Sequence, residues 1–242
     1  MIVDQVCSAV RQGKIRPGDK LPPERSLIEM FQASKFSVRE ALRSLEMLGL
    51  LTVRKGARGG AVITEINFNP IKNSLLNFLQ FKNITVRNIS EVRRLIETGA
   101  VELAAVRRRK EDIDSIQHYL EMAQEKLEQG RGIRDLNIQF HLAIASASYN
   151  PILALTLDYV FDLLRKSIAI LRPDKESEFS AWNMRDHWRI LETIKEGDPK
   201  KAREAMASHL KEVEKRLKLI EDKVKRKFGR TNTNTLKTRK RA

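Results

Sequence analysis

The 242-residue chain is 41% apolar, 6% aromatic and 32% charged, a balance that suits a soluble, helix-rich globular protein and excludes a fibrous or wholly disordered one. No apolar run approaches the ~20 residues that span a bilayer, and the first residues lack a signal-peptide core, so a cytoplasmic protein without a membrane partner is expected. The net charge of +15 gathers at the ends: residues 223–242 hold nine Lys or Arg and no acid, and residues 1–65 hold eleven basic and seven acidic residues. Such ends lower the electrostatic cost of approaching phosphate without identifying the partner.

In chain order, Ile2, Val3, Val6, Cys7 and Val10 have helical spacing over 2–12, which places the single cysteine as a small buried residue without disulfide or chemistry. Arg16-Pro17-Gly18-Asp19 breaks this helix with a turn. Pro22, Pro23 and Glu24 open a second helix, with Leu27, Met30 and Phe31 as its buried face. Ala33-Ser34-Lys35 reads as the connecting turn. Ser37, with Glu40 three residues on, reads as the N-cap of a third helix over about 37–48 that buries Val38, Ala41, Leu42, Leu45 and Leu48. Gly49 stops that helix. Leu51–Arg54 and Ala61–Ile63 have the β-branched content of two strands, and Lys55-Gly56-Ala57-Arg58-Gly59-Gly60 makes a basic, glycine-rich hairpin tip.

Three helices followed by a basic β-hairpin predict a winged helix-turn-helix over 1–66. The N-terminal end of the third helix then faces the base edges of double-stranded DNA. Ser34, Lys35, Phe36, Ser37 and Arg39 are the candidate contacts there, with Arg25 from the preceding helix and Lys55, Gly56 and Arg58 from the wing. A basic residue on a helix is often only a solvated face; it is the grouping that points to DNA. One short helix covers few base pairs, so an operator-binding homodimer is expected.

From Asn67-Phe68-Asn69-Pro70 onward the pattern turns to long helical segments near 71–80, 87–107, 111–129, 134–147, 151–170, 176–196 and 199–227, separated by Asn150-Pro151, Arg172-Pro173-Asp174 and Gly197-Asp198-Pro199. The fold class is therefore mainly α: a winged helix-turn-helix followed over 67–227 by an all-helical antiparallel bundle. The basic stretch 228–242, with its Thr-Asn repeat, cannot bury a core and is expected to be disordered.

Within the bundle, Asn137 and His141 share a helix face, and His187 and His209 fall on the last two helices, which an antiparallel turn can bring together. Three neutral imidazoles suit zinc, nickel or another first-row divalent ion, although scattered histidines alone are a weak signal. Arg93 can anchor a carboxylate or pair with Glu97 one turn on. His118 has no partner at helical spacing and reads as surface. Asp135 lies too far round its helix to replace Asn137.

Residues 1–65 resemble the DNA-binding domain of the GntR regulators through Pro17–Arg25, Val38–Glu46, Gly49-Leu50-Leu51 and Gly56–Gly60. Lys35 departs from the family's usual arginine and Phe36 from a small or polar residue, and a lysine cannot repeat bidentate arginine geometry. About 71–220 resembles the FCD effector domain of the FadR-type branch through Val92-Arg93-Arg94-Leu95-Ile96-Glu97, Asn137-Ile138-Gln139-Phe140-His141, Ala147-Ser148-Tyr149-Asn150, His187 and His209. The resemblance implies metal ligation by Asn137, His141, His187 and His209, beside a carboxylate effector contacted by Arg93 and Asn150. Asn137 stands where aspartate is commoner, which removes a negative charge and should weaken metal binding while favouring an anionic ligand. The expected function is a transcription regulator whose operator affinity responds to that effector; it is not expected to be an enzyme. An acyl-CoA or other metal-independent sensor is the alternative. A helical metalloenzyme and a DNA-packaging protein are lesser ones.

Overall fold

The computed structural model describes residues 2–54, 56, 59–65, 69–80, 84–171 and 176–238, and the chain divides into two units, Met1–Asn83 and Ile84–Ala242. In the first, α1 (Ile2–Arg11), α2 (Glu24–Phe31) and α3 (Lys35–Met47) precede β1 (Leu51–Arg54), β2 (Gly60–Ile63) and α4 (Asn69–Gln80). Val6, Leu27, Val38, Leu42, Leu45, Leu51 and Ile63 form its core. Leu45 is fully buried, so Leu45→Ala would cost about 2–5 kcal/mol in cavity and transfer terms.

The strands pair antiparallel in the register Leu51 to Ile63 and Arg54 to Gly60. The Pro-Gly-Asp-Lys segment runs along the other edge of β2: Gly18 N–H donates to Ile63 O at 2.8 Å and Leu21 N–H to Ala61 O at 2.9 Å. The wing is thereby tied to the turn between α1 and α2. Gly59 has to be glycine, because a Cβ there would meet the Arg54 carbonyl oxygen.

Several local expectations are corrected. The N-cap of α3 is Ser34, not Ser37: Ser34 is extended, and its Oγ accepts the Ser37 N–H at 3.0 Å. Gln32 in the left-handed region makes the turn, so the helix starts at Lys35, and Glu40 bonds Arg43 instead of closing a capping box. Met30 is exposed because α2 is only eight residues long and buries Leu27, with Ile28 and Phe31 partly covered. Leu48 is the exposed C-cap of α3, and Cys7 is half-buried on a helix at the edge of the core. The unit boundary falls after Asn83 and not after 66. α4 groups with the first unit.

The second unit contains α5 (Val86–Arg107), α6 (Lys110–Glu128), α7 (Arg134–Ala147), α8 (Pro151–Leu171), α9 (Glu176–Glu196) and α10 (Pro199–Thr238), an antiparallel helical array as expected. Short caps set the reversals. Asp198 Oδ1 accepts the N–H groups of Lys200 and Lys201, with Pro199 at the first helical position, where it forfeits no bond. Gly197 ends α9 at φ 75°, and a Cβ there would strike the Arg108 guanidinium, which holds the Lys195 carbonyl. α10 runs to Thr238, past the expected break near Phe228. An existing helix adds one hydrogen bond per residue fixed and needs no buried face to continue, and Lys, Arg and Leu are good helix formers. Among the described residues, no helix is long and apolar enough to cross a membrane.

Two apolar clusters fill the bundle. One joins Phe140, Ile144, Ile190, Leu191, Met206 and Leu210; the other joins Ile138, Leu157, Phe161, Val213 and Leu217. The buried polar side chains Arg93, Glu97, His141, Asn183, His187 and His209 lie on the same helices as these clusters. Phe140 of the first cluster stacks on His187 at 4.3 Å, and Phe161 of the second lies 5.6 Å from the His141 ring.

Candidate metal centre and nucleic-acid interface

α7, α9 and α10 bring His141, His187 and His209 together: one ring nitrogen of each lies within 4.8 Å of the others, and all three residues are buried. Nε2 of His187 and Nε2 of His209 are 3.3 Å apart. That separation suits a single N–H···N bond, and equally two nitrogens sharing one ion at ~2.0–2.1 Å each. Burial holds His187 well below the ordinary histidine range, helped by the neighbouring His209 and His141. Burial also lowers His209 to about 4, against the opposing pull of the Asp186 carboxylate. Both imidazoles are therefore neutral near pH 7, the form that ligates a metal.

Carboxylates stand behind two of the rings. Nδ1 of His141 lies 2.5 Å from Glu97 Oε2, and Nδ1 of His209 lies 3.8 Å from Asp186 Oδ2, an arrangement that turns each Nε2 toward the centre. Glu97 is fully buried. Burial alone would raise its pKa, but the charges of Arg93 and His141 and their hydrogen bonds outweigh it and hold the carboxyl at about 2. Arg93 donates from Nε to Glu97 Oε1 at 2.7 Å, and its guanidinium lies over the Phe161 ring. The ion pair of Arg93 with Glu97 one turn on is present, buried and made through Nε.

Asn137 lies one turn before His141 on α7, and its Oδ1 is buried with no hydrogen-bond partner among the described residues. An orphaned buried oxygen beside neutral imidazoles fits a cation-binding donor set, so the residues present fit a divalent ion. Asp135 is exposed and faces Arg165, and His118 is on the surface, as expected of both. Asn150 is placed elsewhere. Its Oδ1 caps α8 by accepting the Ile152 N–H at 3.1 Å, which commits it to the end of the helix. Sequence reasoning missed the part played by Glu97 toward His141, as well as Asp186 and Asn183; the signal for Asn183 is a second Asn and His four residues apart.

At the other end of the chain, Lys35, Phe36, Ser37 and Arg39 are exposed along the first turns of α3, and Phe36 is 74% accessible. Ser34 and Ser37 bond one another at 2.9 Å and fix the helix start. Arg39 is clamped by Glu24 of α2, with Nε 3.0 Å from Oε2. Arg25 is 91% exposed and only loosely tied to Glu29. Gly56 adopts φ 108° at the wing tip, while Lys55 and Arg58 lie outside the described residues.

A winged helix-turn-helix with an exposed, partly basic recognition helix, carried on one chain with a helical domain that holds a buried donor cluster, defines a DNA-binding regulator with an effector domain. Residues 1–61 match the bacterial regulatory proteins of the gntR family, and residues 88–212 match the FCD domain. The chain belongs to the GntR family of transcription regulators, in the FadR-type branch that carries an FCD domain. It is 32% identical to the HTH-type transcriptional regulator LutR of Bacillus subtilis over 209 residues, covering 85% of this chain and 94% of LutR. The Uxu operon transcriptional regulator of Escherichia coli is 29% identical over 212 residues, 83% of this chain and 79% of that protein. The solved structure of Streptococcus agalactiae GntR shares the fold with a TM-score of 0.70 at 24% identity, covering 88% of this chain and 97% of that one.

Proposed function

We propose that this regulator binds its operator as a homodimer in the cytoplasm, and that a small carboxylate bound beside a divalent metal in the FCD domain controls operator affinity. The observation that carries the reading is the cluster of three buried histidines, two of them held neutral by burial, with Asn137 Oδ1 orphaned one turn from His141. Asn137, His141, His187 and His209 would hold the ion, with zinc or nickel the best match to this donor set. When bound, it supplies a positive charge that attracts an anion. Among the described residues Arg93 engages Glu97 through Nε, and its other N–H donors would serve as the second anchor for a carboxylate.

Support for the dimer comes from α5. Val92, Leu95 and Val106 are exposed on one stripe with half-buried Leu103, and a Cβ added at Gly99 would meet open space. Antiparallel packing of two copies about a two-fold axis at Gly99 sets Val92 against Val106, Leu95 against Leu103 and Glu91 against Arg107, which is self-complementary in shape and charge. An effector that favours one arrangement of the dimer then changes operator affinity by the coupling free energy, typically ~1–3 kcal/mol.

Elemental analysis of purified protein, with thermal melts after chelation and metal return, tests the reading. Stoichiometric metal whose removal lowers the melting temperature, and which His187→Ala loses, is expected. Protein that is metal-free as purified, with melts indifferent to chelation, to added metal and to the substitution, would sink the metal assignment and leave the DNA-binding assignment standing.

A further inference from the structure

The directions of the helices place a second polar layer beside the histidines. On α5 and α7, Glu97 meets His141, and further along both helices Arg107 Nη1 donates to the Ser148 carbonyl, so the two run the same way. α10 runs opposite to α5, since Arg203, early in α10, pairs with Glu102, late in α5. α9 runs opposite to α10, because the two are joined by the Gly197 turn and meet again at His187 and His209. α5, α7 and α9 are therefore parallel. The residues one turn before Glu97, His141 and His187 are Arg93, Asn137 and Asn183, and all three stand on the same side of the histidine layer. On α10, which runs the other way, the matching residue is the buried and apolar Val213.

Asn183 is 4% exposed, and its Oδ1, like that of Asn137, is buried with no hydrogen-bond partner among the described residues. Two helices thus repeat one pattern: an asparagine with an orphaned amide oxygen, then a buried histidine four residues on. A single unsatisfied buried carbonyl costs about 1–3 kcal/mol, and two on the same side of the same cluster call for an electrophile that both can reach.

We propose that Asn183 is a further protein ligand of the metal centre, giving its amide oxygen alongside Asn137 to complete a set of three imidazole nitrogens and two amide oxygens. The proposal rests on the metal reading above. A neutral set of this kind leaves the ion its full double charge, which suits a centre built to draw in an anion.

The test uses Co(II) alone, added to metal-free full-length protein, with calorimetry for affinity and visible absorption for coordination number. Asn183→Leu is expected to bind Co(II) about ten-fold or more weakly and to show more intense visible bands, because fewer ligands remain. Asn183→Asp adds a charged oxygen in the same shape and is expected to bind more tightly than wild type. If Asn183→Leu keeps wild-type affinity and spectrum while His187→Ala loses the ion, the proposal is overturned and the metal centre stands. Should the leucine variant not fold, unaltered affinity and spectrum in Asn183→Asp overturn it equally. Wild-type protein that takes up no Co(II) overturns both readings together.

Discussion

Oε2 of Glu97 stands 2.5 Å from Nδ1 of His141 while Oε1 of the same carboxylate accepts from Arg93 Nε at 2.7 Å, so one buried side chain ties the candidate effector anchor to a candidate metal ligand. Glu97→Gln keeps the shape and removes the charge, leaving the Arg93 guanidinium buried without its counter-ion. A loss of about 3–5 kcal/mol in the stability of metal-free protein is expected, with metal affinity reduced about 10–100-fold. Denaturant melts and metal titration check both numbers. A variant as stable and as metal-avid as wild type would remove Glu97 from the account.

Acid should destabilise the metal-free protein in two stages. His209 titrates near 4 when folded and near 6.5 when unfolded, and His187 is shifted the same way, so the unfolded chain binds more protons throughout that window. Stability is then full above pH 6.5 and falls as pH drops toward 4, by about 3 kcal/mol for a shift of this size. Glu97, about 2 folded against 4.5 unfolded, adds a further loss between those values. Melts from pH 8 to pH 3 in chelator measure this, and His209→Gln should flatten the upper stage.

Arg25, Lys35 and Phe36 are exposed at the candidate DNA-reading end and lie outside the apolar core of the first unit. Alanine at Arg25 or Lys35 should leave the melting temperature within the equivalent of about 0.5 kcal/mol while weakening operator binding. Phe36 is an exposed ring of the kind that packs on a thymine methyl, and Phe36→Ala is expected to relax the preference at one base pair, where a mismatch typically costs ~1–3 kcal/mol. Selection from a random duplex library, before and after each substitution, gives the measurement. An unchanged motif with Phe36→Ala would show that the ring reads no base.

Leu95 is 75% exposed at the heart of the α5 stripe. Leu95→Glu should give a folded monomer by sedimentation, with operator affinity reduced because the two half-sites are no longer read together. A dimer that survives the substitution unchanged would place the interface elsewhere.

The basic segment 223–242 holds nine of the chain's positive residues. Its deletion should reduce the slope of DNA affinity against salt while leaving most of the discrimination between operator and random duplex. Loss of discrimination itself would mean that the segment reads sequence and does not merely attract phosphate.

Local signals made most of the secondary structure legible. Pro151, Pro199, Asp198 and the three-four spacing of apolar residues put the bundle helices, the far end of α10 apart, within a residue or two of their observed ends, because proline, caps and periodicity act through neighbouring atoms. The start of α3 was less determinate. Ser34 and Ser37 are both able to cap, and the left-handed turn at Gln32 selects the first. The break expected near Phe228 is not where α10 ends, because a helix already nucleated adds one hydrogen bond for each residue it fixes.

For the candidate site, spacing alone made Asn137, His141, His187 and His209 a weak set, an i, i+4 pair and two histidines on helices joined by a tight turn, and it is the resemblance to the FCD domain that implied their metal roles. Glu97 was visible only as a partner for Arg93, and its contact with His141 belongs to a different helix, 44 positions along the chain. Asn183 stands out only once packing leaves its amide oxygen buried with no hydrogen-bond partner among the described residues. Chemistry that acts within one or two helical turns is written in the residue order. Desolvation, the common direction of α5, α7 and α9, and the shared burial of groups distant in sequence arise only when the helices pack, because each is a property of what surrounds a side chain and not of the side chain itself.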